Sequence, residues 1–162
     1  MILAIDPGNV ESAYVILDDN LKPIKFGKIN NHDLLMDLAT ISEFQQDKYD
    51  FVIEMVASYG MAVGAEVFET VYWIGRFYEV AYGCKNRNRI YRKDEKMNLC
   101  NSMKANDSNI VQALIDRFAP NTPNKGKGIK KAPGWFYGFK KDIWQAYAVG
   151  VTYHDLYLKE GE

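Results

Sequence analysis

Three acidic residues stand where a carboxylate needs a reason to be. Asp6 ends the apolar run ILAI, Glu54 interrupts YDFVIEMV between Ile53 and Met55, and Asp142 precedes the largely apolar IWQAYAVGV. An isolated carboxylate is costly to bury, so such groups are hydrogen-bonded, neutralised or bound to a cation. Brought together, the three would form the hard-oxygen ligand set that Mg²⁺ or Mn²⁺ prefers. Plainer readings exist for two of them: Asp6 before Pro7-Gly8 suits a turn, and Asp142 suits the positive end of a helix dipole. Glu54 resists such a reading, because its mid-strand neighbours are apolar. The combination is what points to metal chemistry. Other chemistries are poorly supplied: the two histidines, His32 and His154, lie far apart in the chain, which disfavours a histidine-rich zinc site or a Ser-His-Asp triad. Cys84 and Cys100 are isolated and read as reduced thiols.

The elements that must position these acids follow from apolar periodicity. Residues 2–7, 12–17 and 23–29 read as three strands of an antiparallel meander, with a turn at Asp18-Asp19-Asn20. Leu34, Leu35, Leu38, Ile41 and Phe44 recur at helical spacing, predicting a helix over 32–46 capped by Asn31. A buried strand over 49–56 precedes a long helix over 61–82 whose apolar face includes Val63, Val67, Val71, Ile74 and Tyr78. Residues 89–92 read as a short strand, and 106–118 as an amphipathic helix capped by Asn106 or Asp107. The Pro-, Gly- and Lys-rich stretch 120–138 reads as a mobile basic loop, and 140–158 as a closing helix. A meander followed by alternating helices and strands predicts one α/β domain over 1–162 with a mixed sheet.

Composition narrows the class. The chain has 162 residues, 48% of them hydrophobic and 25% charged, as expected for a single globular domain. No apolar run is long enough to cross a bilayer. The opening MILAIDPG is no secretory leader and strand-like sequence starts at residue 2, so the fold is expected to begin there, in a cytoplasmic protein. The net charge of −1 conceals an asymmetry. Between Lys85 and Lys141 stand 14 Lys/Arg and 4 Asp/Glu, which leaves 6 basic and 17 acidic residues elsewhere. Such a split fits either a solvated lysine-rich surface or a face for an anionic partner.

The motifs also match something known. AIDPGNVESAYVIL resembles the first strand and turn of RuvC-like Holliday-junction resolvases, which carry a catalytic Asp before Pro-Gly. FVIEMV is similar to the strand bearing their catalytic Glu, and DIWQAYAVGVTY to their C-terminal helix, where an acid or a His is followed three positions later by Asp. RIYRKDEKMNLCNSMKANDSNIVQALIDRF resembles their basic strand-turn-helix region. The likeness spans nearly the whole chain and is strongest to phage-type members. It implies an RNase H-like fold, a mixed central sheet flanked by helices, and a metal-dependent endonuclease that cleaves branched DNA such as Holliday junctions, in the host cytoplasm if phage-encoded. It assigns Asp6, Glu54 and Asp142 to a site for Mg²⁺ or Mn²⁺. Two ions about 4 Å apart are expected, with Asp6 between them.

The chain departs from the family at Gln145, where a second helix acid is expected; its amide oxygen can ligate but brings no charge. Asp107 is the acid that could substitute, though a helix cap explains it better. Among basic residues near the scissile phosphate, Lys96 is the first candidate and Lys104 the second. Gly8 would let the DNA backbone approach closely. Phosphate contacts are expected from Lys85, Arg87, Arg89, Arg92 and Lys93, and from Lys125, Lys127, Lys130 and Lys131 on the loop. Tyr59, Trp135 and Phe136 are candidates for stacking on unpaired bases, with core packing an equal alternative. The family acts as homodimers, and the helix over 61–82 carries Phe68, Tyr72, Trp73 and Phe77 on more than one face, which fits core on one side and a partner on another.

Two other classes compete. The Asp-Pro-Gly turn is similar to that of actin-like and sugar-kinase ATPases, but this chain lacks the length for a second lobe and a second glycine-rich phosphate turn, so no nucleotide cofactor is expected. A branched-DNA-binding module that has lost its chemistry is the alternative that Gln145 favours.

Overall fold

The computed structural model describes residues 1–58 and 60–159. Strand β1 (Ile2–Asp6) lies at the centre of a five-stranded sheet of order β3-β2-β1-β4-β5. The meander of β1, β2 (Glu11–Leu17) and β3 (Pro23–Asn30) is antiparallel, whereas β4 (Asp50–Met55) and β5 (Asn86–Tyr91) run parallel to β1. The sheet is therefore mixed, as expected from a hairpin meander followed by crossover connections.

Both faces of the sheet are covered. Leu3, Ile5, Phe51 and Ile53 face helix α1 (Asn31–Phe44) and helix α2 (Ala65–Val80). Ile2, Ala4, Val52 and Ile90 face helix α5 (Lys141–Tyr153) and helix α4 (Asp107–Phe118). Alternation along a strand decides which residue serves which core. Helix α5 comes close enough to the sheet that a Cβ on Gly150 would sit 2.8 Å from Leu17 Cδ1 and 3.1 Å from Ala4 Cβ.

Several expectations need correction. The cap of α1 is Asn30, whose side chain accepts from the His32 amide. Asn31 is fully buried and does something else: its Nδ2 donates to the Gly8 carbonyl (2.9 Å) and its Oδ1 accepts from the Ser12 hydroxyl (2.7 Å), bracing the turn after β1. Helix α2 starts at Ala65, four residues later than predicted. Of the predicted face Ile74 is buried and Tyr78 packs on the core, while Val63 and Val71 are exposed; Trp73 and Phe77 complete the buried stripe. Past β5 the chain forms helix α3 (Arg92–Cys100), which the sequence reading missed because its residues are mostly polar and charged. Helix α4 begins with Asn106 in a reciprocal capping box with Asn109.

The basic stretch 120–138 contains a two-stranded hairpin, β6 (Gly128–Ile129) and β7 (Ala132–Pro133). Its return arm is anchored: Phe136 is fully buried against Phe139, Trp144 and Tyr147. Trp135 stacks on Phe118 and donates its Nε1–H to Tyr147 Oη (3.0 Å), and Tyr147 donates in turn to the Leu21 carbonyl (3.0 Å). This aromatic cluster fixes the start of α5, and Asp142 with it. After Tyr153 the helix widens to a π-helical turn over His154–Leu158.

Candidate active site

The strand register accounts for the first two acids. Ile5 pairs with Ile53, so the next residues, Asp6 and Glu54, leave the parallel pair side by side. Alternation puts them on the face that carries Ala4 and Val52, beneath α5. Asp142 lies in the first turn of α5. Asp6, Gly8, Glu11, Lys28 and Asp142 line one cavity of about 270 Å³. The three acids therefore converge at the C-terminal ends of β1 and β4.

The electrostatics fit such crowding. Burial, then the charges of Glu54 and Asp142, push the Asp6 carboxyl up to about 8; the Arg92 guanidinium opposes them. Glu54 is raised by burial and pulled back by Arg92 and by a hydrogen bond with Asp6. Two like charges in one dry space each favour the protonated form of the other, which is the direction both carboxyls show. Within the same cavity Asp142 is paired with Lys28 Nζ at 2.7 Å, a residue of β3 that the sequence reading did not single out. That hydrogen bond raises the Lys28 ammonium above its usual value.

A fourth acid was also missed. Glu95, on α3, is 0% exposed. Its Oε2 accepts from Arg92 Nη1 at 2.6 Å, while Oε1 has no hydrogen-bond partner among the described residues. Burial and the Glu54 charge raise its carboxyl well above the ordinary range, against the pull of Arg92. Because α3 was not foreseen, nothing in the sequence separated Glu95 from a surface acid. Gln145, buried on α5, likewise leaves Oε1 unpartnered.

No three Asp, Glu, His or Cys side chains among the described residues are drawn up tightly enough to hold an ion as they stand, and Asp142 is paired with Lys28. The donor set nevertheless suits a hard divalent cation: Asp6, Glu54 and Asp142 supply carboxylates, and Gln145 an orphaned carbonyl oxygen. A cation there would return the raised carboxyls to their ionised form.

The basic candidates divide by position. Lys125 and Lys127 join Lys140, Lys141, Trp144 and Gln145 in a cleft of about 400 Å³ beside the acids. Lys140 and Lys141 had escaped notice. Lys96 and Lys104 line a neighbouring cleft with Arg92, Asp107 and Ser108. Lys130 and Lys131 are exposed at the hairpin tip, and Lys93 is exposed on α3. Others are not brought to the acids. Arg87 and Arg89 pair with Phe51 and Ile53, so they lie on the opposite face of the sheet, over the Tyr78 ring of α2. Arg87 also donates to the Tyr78 carbonyl (3.0 Å). Lys85 precedes β5, at the far end from Glu54. Arg92 is committed to Glu95 and Asp107, so Asp107 serves as its counter-ion. Gly8 has an internal reason to be glycine, since a Cβ there would meet the Glu11 carbonyl at 2.3 Å. Phe136 is core and Trp135 is held by Phe118 and Tyr147, which removes both as stacking wedges. Tyr59 lies outside the described residues.

Comparison with protein-family models and with curated proteins found no match. Solved structures do match. Thermus thermophilus RuvC in complex with a Holliday junction substrate aligns with TM-score 0.61 at 14% identity, over 98% of this chain and 94% of that one. A second T. thermophilus RuvC structure gives TM-score 0.61 at 13% identity, over 98% and 95%. The Fowlpox virus resolvase, in complex with its substrate Holliday junction DNA, gives TM-score 0.53 at 16% identity, over 98% and 99%. Together with the strand order and the flanking helices, these establish an RNase H-like fold.

Proposed function

We propose that this protein is a metal-dependent, structure-selective endonuclease that hydrolyses phosphodiester bonds in branched DNA such as four-way junctions. The observation that carries this reading is the meeting of Asp6, Glu54 and Asp142 at the strand ends, where burial and the charges of the other two acids push Asp6 up to about 8. A bound Mg²⁺ or Mn²⁺, two ions in the full site, would activate water and screen the charge that builds on the phosphate. Asp6, Glu54 and Asp142 would hold the metal, with Gln145 lending its free oxygen. Lys96 is the side chain assigned to the reacting phosphate, with Lys104 behind it. Lys125, Lys127, Lys140 and Lys141 would track the DNA backbone through the adjoining cleft, positioning it without reading its sequence. The solved neighbours described as bound to Holliday junctions support the choice of branched DNA.

A four-way junction presents two equivalent strands, which suits a two-fold symmetric enzyme. Phe68, Val71 and Tyr72 on the outer face of α2, with Met61 and Val63 ahead of it, are exposed and supply a surface for a second copy. A monomer in light scattering at micromolar concentration contradicts the dimer.

The reading is tested by incubating synthetic four-way junctions with the protein in Mg²⁺, Mn²⁺ or EDTA. Metal-dependent cutting that Asp6→Asn abolishes, with binding retained, is expected; near-normal cutting by that variant overturns the mechanism. A second reading, a branched-DNA binder without chemistry, draws on Gln145, and junction binding with no cutting in either metal would favour it.

A further inference from the structure

We propose that Arg92 is the built-in counter-ion of the acidic centre, anchored by Glu95 and Asp107 so that it holds the buried carboxylates together before a divalent ion arrives. It is then a positioning residue and not a DNA contact. This role rests on the metal-dependent reading above only where a metal is invoked.

The geometry begins with the register. Glu54 pairs with Ile90, Met55 with Tyr91, and Arg92 follows as the first residue of α3. The chain turns there from sheet to helix, with the Asp94 carboxylate accepting from the Tyr91 amide to secure the turn. Arg92 is thereby placed one step beyond the strand ends that carry Asp6 and Glu54. Its Nη1 donates to Glu95 Oε2 at 2.6 Å and its Nη2 to Asp107 on α4. The guanidinium is therefore tied into both α3 and α4, and its side chain is only 23% exposed.

Charge balance supplies the reason for such an anchor. Asp6, Glu54 and Glu95 are three acids in one low-dielectric region, and the Arg92 charge acts on each of them in the stabilising direction. Asp142 has a separate partner in Lys28. A guanidinium keeps its charge at any working pH and presents a rigid fork, so its two nitrogens can each hold a carboxylate from a different helix. Glu95 gains a role that its complete burial demands: it fixes Arg92 from below. Its free Oε1 marks a centre with more acid than resident cation. Arg92 cannot also serve as a mobile phosphate clamp without uncovering Glu95.

The test compares wild type with Arg92→Met by thermal melting in EDTA and in Mn²⁺, and by junction binding in EDTA across a salt series. The expected result is a Tm in EDTA lower by several degrees, a Mn²⁺-induced rise in Tm larger than that of wild type, and an unchanged slope of log affinity against log salt. A phosphate contact would give the reverse: an unchanged Tm in EDTA and a salt slope reduced by about one. That result overturns the role. Should Arg92→Met not fold, the double variant Arg92→Met/Glu95→Gln, which removes both charges together, is expected to fold and melt above the single variant; failure to recover also overturns it. A wild-type Tm that ignores Mn²⁺ contradicts the metal-dependent reading, and the counter-ion role is then decided by the EDTA melt and the salt slope.

Discussion

Asp6 and Glu54 on the strand side and Asp142 on the helix side meet at one centre but are held in different ways. The strand acids are fixed by hydrogen-bonded register and lean on a guanidinium that is itself held by Glu95 and Asp107. The helix acid is 36% exposed and turns to a lysine that is 44% exposed. One side is rigid and stores unfavourable charge; the other can swing. On the proposed metal-binding reading, the sheet would set the position of Asp6 and Glu54, and Asp142 would join them by leaving Lys28.

The comparison yields an ordered set of expectations. The largest effect should come from the rigid side: Asp6→Asn or Glu54→Gln should lower the cutting rate on four-way junctions by on the order of 10³-fold while leaving binding intact, measured in single-turnover assays. Next, removal of the resident cations should separate the two sides. Arg92→Met should cost about 3–5 kcal/mol in metal-free denaturant unfolding, because it strands the buried Glu95. Lys28→Met should cost less than about 1 kcal/mol, since its pair is half exposed. Equal losses would erase the distinction. Gln145→Glu should sharpen it from the helix side, by lowering the Mn²⁺ concentration for half-maximal cutting roughly tenfold, a change typical of one altered ligand contact.

The same division should also show in pH dependence. Asp6 is raised from its usual 3.8 to about 8. Across that window the folded state keeps a proton that the unfolded chain has released, so this contribution is complete below the unfolded value and is lost as pH rises through the folded one. In EDTA, Asp6→Asn should therefore gain on wild type in Tm as pH rises from about 5 to about 8.5. A gap that stays constant would mean that Asp6 is not strained.

How far the sequence could be read follows the same division. The meander and β4 were legible because short apolar runs bounded by turn residues, and a lone carboxylate among apolar neighbours, are local signals. The start of α5 was legible for the same reason. Glu95 and Lys28 were not, because their importance depends on α3 and β3 being folded against distant elements. Arg87 and Arg89 looked like DNA contacts in a basic run, yet strand parity sends them to the α2 face. Phe136 illustrates the limit in the basic stretch: Pro, Gly and Lys made 120–138 look featureless, while one aromatic ties it into the core.

The most direct test of the central claim is a crystal structure of the protein grown with Mn²⁺, read by anomalous scattering. Density bounded by Asp6, Glu54 and Asp142, with Asp142 withdrawn from Lys28, is the predicted result. Mn²⁺ absent from that space, with Asp142 still paired to Lys28 and Asp6 still bonded to Glu54, would contradict it.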